Sequence, residues 1–203
     1  MFTLSEIQHD TLVELFNIGV GRAAAAMSAM VGEDIVLSVP SIHFLNIHDA
    51  SVALSGGGVR NVCGITQRFS GAFNTDVTLM FPEDKSLELV RLMVGESIPL
   101  EQLTEMEQEA MSEIGNIILN SCMGTMADIL STEMQGSLPE YHIGTSEQLL
   151  VLLSREADVV LILRIDFILE KLRIDGHVAF VMNALAMENV CKHIDRYLTG
   201  VAF

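Results

Sequence analysis

The chain has 203 residues, half of them apolar and 19% charged, with 27 acidic against 11 basic side chains and a net charge of −16. That length buries a full core without disulfide or metal support, and it suits one domain or two small ones. The composition excludes a disordered chain, and the acidic balance argues against duplex DNA, RNA and anionic lipid, which call for a basic face.

The first predicted element is an amphipathic helix through "ELFNIGVGRAAAAMSAMV". "DIVLSVP" alternates and reads as a strand, and "SIHFLNIHDASVAL" as a short extended piece followed by a turn or small helix. "NVCGITQRFSG" and "AFNTDVTLMF" read as paired strands around Ser70-Gly71. "PEDKSLELVRLMVG" opens on Pro and closes on Gly, the punctuation of a helix. A second long helix is predicted from about Thr104 to about Leu130, followed by a strand-like "TEMQGSLP". "TSEQLLVLLS" fits a short helix and an apolar strand equally, because periodicity alone does not separate them. "ADVVLILRIDFI" and "RIDGHVAFVMN" read as strands, and "ALAMENVCKHIDRYLTG" closes as a helix with Gly200 just past its end.

This order repeats. Glu14 and Glu113, Asn17 and Asn116, and Pro40 and Pro139 each lie 99 residues apart. Each helix also carries an internal glycine, Gly19 in the first and Gly115 in the second. No linker rich in Pro, Gly and Ser divides the halves, only "GESIPLEQLTE". The expectation is an α+β fold: one domain over 1–203, made of two fused repeats of about 1–99 and 100–203. Sequential strands joined by short turns favour a central, mostly antiparallel sheet flanked by long helices.

A helix turns about 100° per residue, so positions i, i+4 and i+7 fall within about 60° of one another. Asp10, Glu14 and Asn17 therefore share one face, with Leu12, Leu15, Phe16 and Gly19 on the opposite, core-facing side. Glu109, Glu113 and Asn116 form the same stripe in the second helix, opposite Met111, Ile114, Gly115 and Ile118. Glu is at home on a solvated helix, but Asn competes with the backbone and is a poorer helix former. A carboxylate and a carboxamide one turn apart lack a nucleophile and a histidine base. They can position: Asn orients a water, and Glu accepts from a cation such as a partner's Lys.

Other chemistries find little support. Cys63, Cys122 and Cys191 are far apart, outside any C-x-x-C pair, and the opening "MFTLSEIQHD" lacks a signal-peptide pattern. Reduced thiols and a cytoplasmic location are expected. No apolar run approaches the roughly 20 residues of a membrane span. The six histidines show no metal-ligand spacing, and no metal is expected on the chain. There is no phosphate-binding P-loop and no G-x-S-x-G elbow, and "SGGGVRN" reads as a glycine turn.

The spacing Asp/Ser, three residues, Glu, two residues, Asn, twenty-two residues, Pro is met in full by Asp10, Glu14, Asn17 and Pro40. Glu113, Asn116 and Pro139 meet it too, with Glu109 standing where Asp or Ser is the pattern. The chain thereby resembles the CheC/CheX/FliY family of response-regulator phosphatases, specifically the CheC type. The resemblance implies hydrolysis of the aspartyl phosphate of a phosphorylated CheY-type receiver. Glu14, Asn17, Glu113 and Asn116 would be catalytic, and Asp10, Pro40, Glu109 and Pro139 supporting. Each Asn would orient the attacking water and each Glu would pair with the receiver's active-site Lys. No cofactor is implied on this chain, since Mg²⁺ belongs to the receiver. A CheD-type receptor deamidase is implied as a further partner. The alternative reading is a non-enzymatic adaptor that holds a receiver, a CheD-type deamidase or a flagellar switch protein.

Overall fold

A computed structural model describes residues 4–55, 61–94, 100–153, 159–169 and 172–200. Helix α1 spans Glu6–Val31. It is followed by β1 (Ile35–Leu45), α2 (Ile47–Ser55), β2 (Asn61–Gly71), β3 (Thr75–Pro82) and α3 (Glu83–Val94). Then come α4 (Leu100–Ile129), β4 (Met134–Gly136), β5 (Glu140–Thr145), α5 (Ser146–Leu153), β6 (Val159–Leu169), β7 (Leu172–Met182) and α6 (Ala184–Thr199).

The long helices are punctuated by their own sequence. Ser5 caps α1: its Oγ accepts from Gln8 N at 3.3 Å, and Gln8 Oε1 accepts from Ser5 N at 2.9 Å. Gly32 ends the helix at φ 77°, a conformation that costs a β-carbon-free residue little. Replacing Ser5 by Ala removes the Oγ half of this box and is expected to cost about 1 kcal/mol, lowering Tm by roughly 2–4 °C in a thermal melt. Helix α4 begins four residues before the predicted Thr104, at Leu100. Its opening stretch, "LEQLTE", consists mostly of good helix formers, so half of the presumed connector is helical.

The described strands form one sheet in the order β1-β6-β7-β3-β2-β4, with β5 also paired to β2. Every pairing is antiparallel, as expected. Strand β5, "EYHIGT", was not among the predicted strands; "TSEQLLVLLS" resolves as helix.

Alternate strand residues face opposite layers. Leu161, Leu163, Ile165 and Phe167 of β6 join the main core with residues of α1, α3, α4 and α6, including Leu12, Phe16, Leu89, Ile118 and Met187. Val160 and Ile162 face the other way, into a smaller core under α2 and α5 that includes Ala50, Leu149 and Leu150. The sheet is thus a three-layer filling, and α1 and α4 lie together on one of its faces. Gly19 lets them touch: a Cβ there would sit 2.8 Å from Cys122 Cα. Gly115 faces the sheet, where a Cβ would fall on the Ile65 side chain. Arg22 of α1 then clasps α4, reaching Thr125 Oγ1 and Asp128 Oδ2, each at 3.1 Å.

Candidate functional site

The facing expected from the sequence holds. Leu12, Leu15, Phe16 and Gly19 are buried, as are Met111, Ile114, Gly115 and Ile118. Asp10 and Glu14 are exposed on α1, and Glu109 and Glu113 on α4. Asn17 and Asn116 are half-buried at the edge of each polar stripe. The carboxylates of Glu14 and Glu113 have no hydrogen-bond or ion-pair partner among the described residues. The two asparagines, however, are held in different ways.

Asn17 is clipped to strand β1. Its Oδ1 accepts from Val39 N at 3.0 Å, while its Nδ2 donates to Val13 O at 2.9 Å and to Val39 O at 3.4 Å. The β1–β6 ladder skips a register between Ser38 and Ser41. Pro40 brings no N–H to the ladder, so β1, an edge strand, bulges there. The Val39 amide and carbonyl turn out of the ladder and find Asn17 instead. The interval between Asn17 and Pro40 therefore has a structural cause, the satisfaction of a backbone bulge.

The second copy departs from this. The strand breaks around Pro139, leaving β4 and β5 as separate pieces on β2. Leu138, the counterpart of buried Val39, is 85% exposed. Asn116 makes no hydrogen bond to it. Instead Asn116 Oδ1 accepts from Gln67 Nε2 at 3.2 Å and from Asn120 Nδ2 at 2.7 Å. Among the described residues, Asn116 Nδ2 donates to none. Gln67 itself donates to Ser137 O at 2.8 Å, and Asn120 donates to the Asn116 carbonyl at 2.8 Å.

Gln67 and Asn120 were not singled out in the sequence. Asn120 had a legible signal: it lies one turn past Asn116 on the same stripe, where the first copy has Gly21. Gln67 had none, since a strand partner is brought to the helix only by the fold.

Among the described residues, the remaining titratable groups do not build a competing centre. Burial pushes the Cys63 and Cys122 thiols up to about 12 each. Burial, then the Asp195 and Glu188 carboxylates, push Cys191 up to about 11. All three are thiols at neutral pH and poor nucleophiles. Glu107 accepts from Ser86 Oγ and, at 3.1 Å, from Tyr141 Oη, tying α3 and β5 to α4. Among the described residues no group of three or more His, Cys, Asp or Glu converges as a metal site, and no helix is long and apolar enough to cross a membrane.

No protein-family model matches the chain. The CheY-P phosphatase CheC of Bacillus subtilis (strain 168) is 30% identical over 143 residues, 69% of this chain and 68% of that protein. The structure is similar to that of Thermotoga maritima FliY, with a TM-score of 0.78 and 17% identity over 97% of this chain and 100% of that one. It is also similar to CheX of Borrelia burgdorferi, solved in complex with CheY, BeF3 and Mg²⁺, with a TM-score of 0.53 and 14% identity over 84% of this chain and 97% of that one. At such identities the two structures speak to the fold, and the relation to CheC speaks to descent. The chain belongs to the CheC/CheX/FliY family of chemotaxis phosphatases.

Proposed function

We propose that the chain hydrolyses the aspartyl phosphate of a phosphorylated CheY-type receiver, working from α4 and, to a lesser extent, α1. The observation that carries this reading is the outward Nδ2 of Asn116 beside the unpartnered Glu113 carboxylate on an exposed helix face. Glu113 pairs with a Lys of the receiver and seats the helix over the acyl phosphate. Asn116 Nδ2 then donates to a water and holds its oxygen toward phosphorus. The water oxygen bonds to phosphorus as the bond from phosphorus to the aspartyl oxygen breaks. The receiver carboxylate is regenerated, and inorganic phosphate leaves with the water's proton passing to it or to solvent. Glu14 and Asn17 supply the same groups from α1, but only after Asn17 lets go of Val39.

Phosphoryl transfer asks for positioning and charge stabilisation more than covalent chemistry. That suits a site without nucleophile or base; the receiver brings the phosphorylated Asp and the Mg²⁺. We also read the chain as two fused repeats, of about 1–99 and 100–203. Two features support it. The edge strands β1 and β4/β5 flank β6 and β2, with β7 and β3 between. Gln8 and Glu107, again 99 residues apart, each tie a stripe-bearing helix to a neighbouring helix, through Asp195 and Ser86.

Turnover separates this function from an adaptor. With the chain at one-twentieth of the phosphorylated receiver, phosphate release is expected to run to completion at an accelerated rate. Release unchanged from receiver alone, with binding intact, would establish the adaptor.

A further inference from the structure

We infer that Gln67 and Asn120 form a clamp that orients the Asn116 carboxamide, with its oxygen fixed inward and its Nδ2 presented to the receiver. This rests on the phosphatase reading and extends it to two positioning residues that carry no part of the repeated pattern.

The orientation follows from groups that can act in only one sense. A backbone carbonyl only accepts. Gln67 approaches Ser137 O at 2.8 Å, so the atom facing it is the amide nitrogen Nε2. Asn120 approaches Asn116 O at 2.8 Å, so its atom there is Nδ2. Both nitrogens also face the same atom of the Asn116 side chain, at 3.2 and 2.7 Å. Two donors converging on one atom require an acceptor, so that atom is Oδ1. The Asn116 amide nitrogen is then turned away from the clamp, toward solvent. Gln67 is itself only 1% exposed, a buried polar side chain committed to this network. Asn120 Nδ2 closes the network by also facing Gln67 Oε1, an acceptor 3.5 Å away. Gly136 leaves room for it: a Cβ there would come within 3.1 Å of Asn120 Oδ1.

In the first copy the acceptor Oδ1 is fixed by Val39 N, but Nδ2 is spent on Val13 O and Val39 O. Gly21 stands at the position of Asn120 and offers no donor. The clamp therefore belongs to the second copy, and it replaces the backbone clip with side chains that leave the working nitrogen free.

The test uses the full chain carrying Asn17→Ala, so that α4 alone supplies the activity, against a phosphorylated CheY-type receiver. Adding Asn120→Ala is expected to lower kcat on the order of 10-fold, the scale of a small misplacement, with KM changed less than about 2-fold. Tm should hold, because Asn120 is exposed and Ala is the better helix former. Asn120→Asp keeps the shape, loses the donor, and should lower kcat similarly. With Asn116→Ala in place of Asn17→Ala, neither change at Asn120 should alter the residual rate. An undiminished kcat in both Asn120 variants would overturn the clamp, as would an equal loss in the Asn116→Ala chain. If Asn17→Ala with Asn116→Ala kept full release, the phosphatase reading itself would fall, a result distinguishable from failure of the clamp alone.

Discussion

Asn116→Ala is expected to lower phosphate release on the order of 100-fold while leaving Tm within about 2 °C of wild type. Asn17→Ala is expected to do the reverse, keeping most of the release and losing stability. The contrast follows from what each carboxamide holds. Asn116 receives two hydrogen bonds from side chains and gives none among the described residues, so its loss removes a donor aimed at solvent. Exposed Asn120 can rehydrate, and buried Gln67 keeps its bond to Ser137 O. Asn17 closes the bulge at Val39–Pro40, and its removal strands a backbone amide at the edge of the core. An unsatisfied group of this kind costs about 1–3 kcal/mol. At roughly 2–4 °C per kcal/mol for a chain of this size, Tm should fall by about 2–12 °C. Melting curves and single-turnover release on both variants check the pair. Release lost chiefly in Asn17→Ala would show that its clip opens readily and that α1 is the working helix.

Gly71→Ala is expected to destabilise the chain by about 3 kcal/mol, combining backbone strain with a steric clash. Gly71 sits at φ 145°, a region open in practice to glycine alone. A Cβ there would also fall on the Glu133 carbonyl oxygen. The glycine lets β4 lie against the end of β2, where Gly71 pairs with Met134. That pairing leads the chain to Ser137, whose carbonyl takes Gln67 and whose Oγ accepts from Arg68 N at 3.0 Å. The same substitution should therefore lower Tm by roughly 6–12 °C and weaken release from the second copy. Calorimetry and the release assay on one preparation read both effects. A Tm equal to wild type would mean that β4 is not anchored as described.

Much of the layer structure was legible because burial follows period. The pairs Leu12/Phe16 and Ile114/Ile118 lie one turn apart and mark the buried faces of α1 and α4. The long strands β6 and β7 showed as runs rich in β-branched residues. Less legible were elements decided by partners distant in sequence. β5 carries Gly144 and His142 and became a strand only by pairing with β2. The Leu-rich "TSEQLLVLLS" became α5 because Leu149 and Leu150 cover the sheet from outside. At the site, the exposed stripe and its glutamates were legible from helical spacing. The inequality of the two asparagines was not. It depends on whether the residue before Pro turns inward, as Val39 does, or outward, as Leu138 does. That choice is made by strand pairing, which no spacing within the helix reveals.

We propose that an asparagine placed over a receiver's aspartyl phosphate speeds its hydrolysis. The most direct test is the lifetime of that phosphate with no chain, with wild type, and with the Asn17→Ala/Asn116→Ala chain at equal receiver occupancy. Wild type is expected to shorten the lifetime by roughly 100- to 1000-fold, and the double variant to bind but leave it near that of receiver alone. A lifetime unaffected by wild type, or shortened as much by the double variant, would contradict it.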